Sequence, residues 1–202
     1  MVSLNLRFSR GSYEVFSKRE ATKGFQSFKN KIFERDHNKC LFCGFRATKH
    51  MWVANKDGNY RNNKMSNMVT CCPLCKQCLF VEHVNAMAGG GILIYLPEMS
   101  QADLNGLCHS LFCAIANATI HERTAQDTYN AFKLRSNPVE KAYGEGRSDP
   151  KIFGEMVLNT PNDRIDSIAN EVLKDLRLLP KLTDFKQQIQ DWSQDAATTA
   201  SK

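Results

Sequence analysis

Residues 40–44 read Cys40-Leu41-Phe42-Cys43-Gly44, and residues 72–75 read Cys72-Pro73-Leu74-Cys75. These two stretches decide the fold. Two cysteines separated by two residues can aim both sulfurs at one ion, and Gly44 relieves the turn that brings the chain back. One such pair carries little weight. Two pairs, the second opening 28 residues after Gly44, make a four-thiolate set suited to a tetrahedral metal. The pattern predicts one structural zinc ion on Cys40, Cys43, Cys72 and Cys75. Cys71 and Cys78 keep the second register open, because Cys75-Lys76-Gln77-Cys78 has the same spacing. Pro73 favours a knuckle that opens a helix, which selects Cys72 and Cys75. Cys78 would then face the core one turn on, and Cys71 would be an apolar strand end.

The rest of the chain sets the context for those cysteines. Of 202 residues, 42% are apolar and 24% charged, which excludes a disordered chain. The longest apolar run is Gly91-Ile92-Leu93-Ile94-Tyr95-Leu96-Pro97. It has the length of a buried strand and is far short of the roughly 20 residues that span a bilayer. No charged segment followed by a long apolar stretch opens the sequence, so no signal peptide is expected. The expectation is a cytoplasmic protein that reaches a membrane only through a partner. Six of the eight cysteines lie between positions 40 and 78, and clustered cysteines in a reducing compartment more often bind metal than form disulfides. Residues 1–79 carry a net charge of +10 and residues 80–202 a net −4. A basic cysteine-rich half points to nucleic acid, to an acidic partner, or simply to a solvated face.

Alternation of Leu4, Leu6 and Phe8, a turn at 9–12, and Tyr13–Phe16 predict an opening hairpin. Phe25, Phe28, Ile32 and Phe33 predict a helix over about 25–36. Gly89-Gly90-Gly91 predicts a turn before a strand at 92–96. Ser100 caps a helix carrying Leu104, Leu107, Cys108, Leu111, Phe112 and Ile115, in which Cys108 and Cys113 are small core residues. Thr124 caps another with Tyr129 and Phe132. Residues 137–149 read as an exposed loop. Asp149-Pro150 starts a helix with Ile152, Phe153, Met156 and Val157. A further helix is expected over 163–178, a last one over 183–192, and a disordered tail over 195–202. The fold class is therefore α+β. A ββα zinc-knuckle core at about 35–85 is embedded in a mostly helical single domain, 1–194, with a helical remainder over 100–194.

The segment from Arg35 to Cys78 resembles an HNH endonuclease module. The shared frame is Cys40-x-x-Cys43-Gly44, a strand at Val53-Ala54-Asn55, the loop Asp57-Gly58-Asn59-x-Arg61-Asn62-Asn63, Asn67, and Cys72-x-x-Cys75. The resemblance implies a catalytic-metal ligand at position 54, a general-base histidine at 55 and a second ligand at 76. Those positions hold Ala54, Asn55 and Lys76. Alanine has no ligand atom, an amide cannot take a proton near neutral pH, and a lysine cation repels a divalent ion. His50 and His83 are the nearby candidates for a rescue. The expectation is a scaffold with its catalytic set erased, hence no catalytic residue and no enzyme.

Over nearly the whole chain, the sequence is similar to the IcmJ (DotN) family of the Dot/Icm type IV secretion machinery. The similarity rests on Leu93–Glu98, Leu107–Ile115, Gly144–Gly154 and the Asn67-Met68-Val69-Thr70 run into Cys71-Cys72. It implies a subunit of the coupling complex at the inner membrane that binds a C-terminal segment of the coupling ATPase, DotL, and other subunits of that complex, without inserting into the membrane itself. Two other readings remain. One is a metal-dependent HNH nuclease. The other is a nucleic-acid-binding module using Lys23, Lys29, Lys31, Arg35, Arg46, Lys49, Lys56, Arg61 and Lys64.

Overall fold

The computed structural model describes residues 2–8, 10–87, 89–161, 164 and 171–200. It is a mixed α+β arrangement with two small antiparallel sheets. The chain opens as an extended segment whose Leu4 and Leu6 are buried. Two helices follow, α1 (Ser12–Glu20) and α2 (Lys23–Arg35), then β1 (Trp52–Asn55), β2 (Met68–Cys71) and α3 (Pro73–Cys78). Next are β3 (Gly91–Tyr95), α4 (Gln101–Ala116), α5 (Glu122–Leu134), α6 (Asn137–Tyr143) and α7 (Pro150–Leu158). The chain closes with β4 (Leu176–Pro180) and α8 (Lys186–Ala200).

The first sheet pairs β1 with β2, Trp52 opposite Cys71 and Asn55 opposite Met68. Side chains alternate across a strand, so β1 is covered on both sides. Val53 and Met68 pack with Phe25 and Ile32 of α2 in a small cluster. Ala54 belongs to the large core, which also takes in α3, α4 and the second sheet. The second sheet pairs Gly91–Tyr95 with Leu176–Pro180, strands more than 80 residues apart. Gly91 is needed there: a Cβ would stand 2.6 Å from the Leu179 carbonyl oxygen. Gln101 at the start of α4 binds β4 as another strand would. Its Nε2 donates to Leu178 O at 2.9 Å and its Oε1 accepts from Leu178 N at 2.8 Å.

Five expectations need correction. The opening alternation exists, but its partner is not a hairpin strand. Val2 N donates to Leu41 O and Arg7 N to Cys78 O, while residues 12–20 form a helix that buries Phe16 and Arg19, three apart on one face. Residues 137–143 form α6 rather than a loop, with Pro138 at the helix start and Val139 buried. Of the helix expected over 163–178, residues 163 and 165–170 lie outside the described residues, and its end, from Leu176, belongs to the strand Leu176–Pro180, because β3 offers an open edge. The tail expectation for 195–202 also changes. Helix α8 continues to Ala200, and Asp195 bonds Thr48 Oγ1 at 2.6 Å and Lys49 Nζ at 3.1 Å. Cys108 is buried as expected, whereas Cys113 is exposed, one turn round α4 from the core face.

Candidate metal centre

The first knuckle is a tight hairpin. Lys39 and Arg46 bridge across it, Cys40 N donates to Phe45 O at 2.7 Å, and Gly44 N donates to Cys40 O at 2.9 Å. Gly44 takes φ +82°, a left-handed turn that a side chain would strain. The second knuckle is the N-terminus of α3. Cys72 precedes Pro73, whose missing N–H costs nothing at the first helical position, and Lys76 N returns to Cys72 O at 2.8 Å.

These two turns bring the sulfurs of Cys40, Cys43, Cys72 and Cys75 within 4.8 Å of one another. Cys43 Sγ and Cys72 Sγ are 3.6 Å apart. A tetrahedron with metal–sulfur bonds of about 2.3 Å requires sulfur–sulfur edges of about 3.8 Å, so the four sulfurs fit one ion. Cys71 and Cys78 stand outside this set. The Cys71 thiol donates to Cys72 O and the Cys78 thiol to Leu74 O, each at 3.3 Å. Burial pushes the Cys72 and Cys75 thiols well above their ordinary range. Burial acts the same way on Cys40, but hydrogen bonds from the surrounding thiols outweigh it and hold Cys40 well below. Four clustered thiols, three of them buried, cannot all ionise beside one another. A cation at their centre would remove that conflict, and the set could hold one.

Two side chains from α4 brace the sulfurs. His109 Nε2 lies 3.3 Å from Cys72 Sγ, and its ring stacks on Phe45 at 3.6 Å, with planes 2° apart. Burial pushes His109 down to about 3, so it is neutral and can donate its N–H to sulfur. Asn105 Nδ2 donates to Cys75 Sγ at 3.3 Å and approaches Cys78 Sγ at 3.7 Å. Trp192 of α8 closes the edge, with its ring centroid 4.7 Å from that of Phe45.

The positions where a nuclease of the HNH type would work lie at the other end of β1. Asn55 is fully buried. Its Oδ1 accepts from Arg19 Nη1 at 2.5 Å, and its Nδ2 donates to the carbonyls of Asn59 and Asn62 at 2.8 and 2.9 Å. Arg19 also donates to Val53 O at 2.7 Å and stands 4.3 Å over the Phe25 ring. Phe16, Tyr60 and Phe80, all buried, pack round the same spot with centroids 4.9 to 5.4 Å apart. Lys76 is buried too, its ammonium 3.6 Å over Trp52, and burial pushes it down to about 8. Of the rescue candidates, His50 pairs with Asp191 at 2.5 Å and His83 stacks on Tyr13.

Over 194 residues the chain is 46% identical to the type 4 apparatus protein DotN of Legionella pneumophila subsp. pneumophila. That match covers 96% of this chain and 90% of its relative. The chain belongs to the DotN (IcmJ) family. No protein-family model matches it. Among the described residues of this DotN-family chain, no helix is long and apolar enough to cross a membrane.

Three residues of the site have no signal near the cysteines. His109 and Asn105 lie four apart on the buried side of α4, polar residues among Leu104, Cys108 and Phe112. Polar groups on an apolar helix face need partners, and that was the available clue. Arg19 had none, because the segment holding it has the alternation of a strand.

Proposed function

We propose that this protein is a non-catalytic, zinc-stabilised adaptor subunit of the Dot/Icm type IV secretion coupling complex. In this reading Cys40, Cys43, Cys72 and Cys75 hold one Zn²⁺. The ion supplies folding energy and no reaction chemistry, on the order of 10 kcal/mol in small zinc modules. The β1–β2–α3 unit is an HNH-like scaffold reused as a support. The protein binds an extended C-terminal segment of the coupling ATPase, DotL, and so sits at the inner membrane without inserting into it, supporting effector export.

The observation that carries the non-catalytic part is the Arg19–Asn55 contact. At the position where a base must reach water, a buried amide is held by a buried guanidinium and two backbone carbonyls. Neither the amide nor the guanidinium can take a proton from water near neutral pH, and Asn55 is fully buried. Kinship with a type 4 apparatus protein supports the secretion assignment.

A nucleic-acid-binding reading is favoured by the basic half but weakened by how its cations are used. Lys29 pairs with Glu20, Arg35 with Asp36, and Lys49 with Asp195. The deciding experiment mixes the zinc-loaded chain with the C-terminal segment of the coupling ATPase and, separately, with DNA. The adaptor reading expects co-elution with the ATPase segment that survives raised salt, and no magnesium- or manganese-stimulated nicking. Failure to bind the segment, or nicking that copurifies with the chain, overturns it. Salt-sensitive DNA binding in its place supports the second reading.

A further inference from the structure

A small cavity of about 90 Å³ lies beside α3, walled by Trp52, Lys76, Gln77, Phe185 and Gln188, with the half-buried His50 at its edge. Its interior is not satisfied by the described residues. Gln77 is 1% exposed, and among the described residues neither its Nε2 nor its Oε1 has a hydrogen-bond partner. Buried amide groups are normally paired, so both atoms call for something from outside the chain. Lys76 is 6% exposed, and among the described residues no carboxylate lies within ion-pair distance of it. The acidic groups nearest by chemistry are already engaged, Glu20 with Lys29 and Arg19, Asp191 with His50.

The unmet groups define a ligand. Lys76 and Gln77 Nε2 offer N–H donors and a positive charge, while Gln77 Oε1 needs a hydrogen to accept. A carboxylate can accept but cannot donate. Water can donate but brings no charge. A tetrahedral oxyanion that keeps one proton meets all three demands, and a cavity of this size, about three waters in volume, has room for one. We infer that this cavity binds free hydrogen phosphate. The inference does not depend on the adaptor assignment, since it concerns residues outside the four-cysteine set and needs no partner chain.

The test uses the zinc-loaded full chain. Its thermal unfolding midpoint is measured in phosphate, acetate and chloride at equal pH and ionic strength, with ³¹P linewidths followed in parallel. A midpoint that rises with phosphate alone and saturates, together with ³¹P broadening, is the expected result, because a ligand of the folded state stabilises by mass action. Gln77→Met, which keeps the length and removes the amide, should abolish both. Should Gln77→Met fail to fold, Gly89→Ala decides instead, since its Cβ would sit 2.9 Å from Gln77 Oε1 and crowd the cavity. No rise over chloride, an equal rise in acetate, or an undiminished rise in the folded variant would overturn the inference. Water would then fill the cavity, with the metal-bound thiolates as the counter-charge of Lys76.

Discussion

The two ends of β1 use polar groups in opposite ways. At one end, four sulfurs from two sequence-local turns converge within 4.8 Å of one another, a spacing that suits one metal ion. At the other, Asn55 and Arg19, 36 residues apart in the chain, meet in a buried hydrogen bond. The first is a site built to hold something. The second is a buried amide held by a guanidinium and two backbone carbonyls. The same short strand connects them.

The largest expected effect breaks the first end. Cys72→Ser removes one sulfur of the set and the acceptor facing His109. We expect loss of stoichiometric zinc and of cooperative unfolding, since the cost, on the order of 10 kcal/mol, matches the whole stability of a typical domain. Elemental analysis and calorimetry check it. A soluble Cys72→Ser chain that melts cooperatively would remove the metal from its structural role. Cys78→Ser should keep its zinc, because that thiol stands outside the four-sulfur set, donating to Leu74 O and facing Asn105 Nδ2.

Breaking the second end should cost less and leave the first intact. Arg19→Leu deprives Asn55 Oδ1 and Val53 O of their donor and leaves Glu20 with Lys29 alone. Buried partners left unpaired put the loss at roughly 3 kcal/mol. Zinc content should not change. Neither this variant nor Asn55→His should nick plasmid DNA, because Ala54 and Lys76 still supply no ligands. Metal-dependent nicking by Asn55→His would show the catalytic end to be dormant rather than filled.

The contrast also explains what the sequence could reveal. The four sulfurs were legible because each knuckle is local: its spacing, Gly44 and Pro73 are all within five residues. The residues standing at positions 54, 55 and 76 were legible by position alone. Arg19 was not, because what holds it is tertiary. Its helix was mistaken for a strand, as Tyr13, Val15 and Phe16 fit either period over so short a stretch. The strand Leu176–Pro180 was missed for the same kind of reason. Leu173 and Leu176 continue a helical spacing, and only the distant edge of β3 turns that stretch into a strand. The first sheet was anticipated because a short loop joins its strands. The second was not, because more than 80 residues separate them.

A smaller effect tests how the metal end is braced. His109→Phe keeps a ring against Phe45 and Trp192 but removes the N–H facing Cys72. Outer groups of this kind typically change metal affinity 10–100-fold. The variant should fold and carry zinc, yet lose it to a chelator faster than the parent. Unchanged release would reduce His109 to packing.

The smallest effect comes from the hinge between the ends. Asp36 closes α2 and accepts from Thr70 N of β2 at 2.8 Å and from Arg35 Nε at 2.8 Å. Burial alone would raise this carboxyl, but the hydrogen bonds from Arg35 and Thr70 outweigh it and hold Asp36 below the ordinary carboxylate value. A carboxylate lowered on folding stabilises above its unfolded pKa of about 3.9, and that contribution is lost as pH falls through the folded value. Asp36→Asn should therefore melt below the parent near neutral pH, by about 1–2 kcal/mol. The gap should narrow as both are acidified below about pH 4, where the parent's carboxyl takes up its own proton. Comparing parent with variant at each pH cancels the loss of zinc that acid imposes on both. A gap that stays constant into acid would mean that the shape of the Asp36 contact matters and its charge does not.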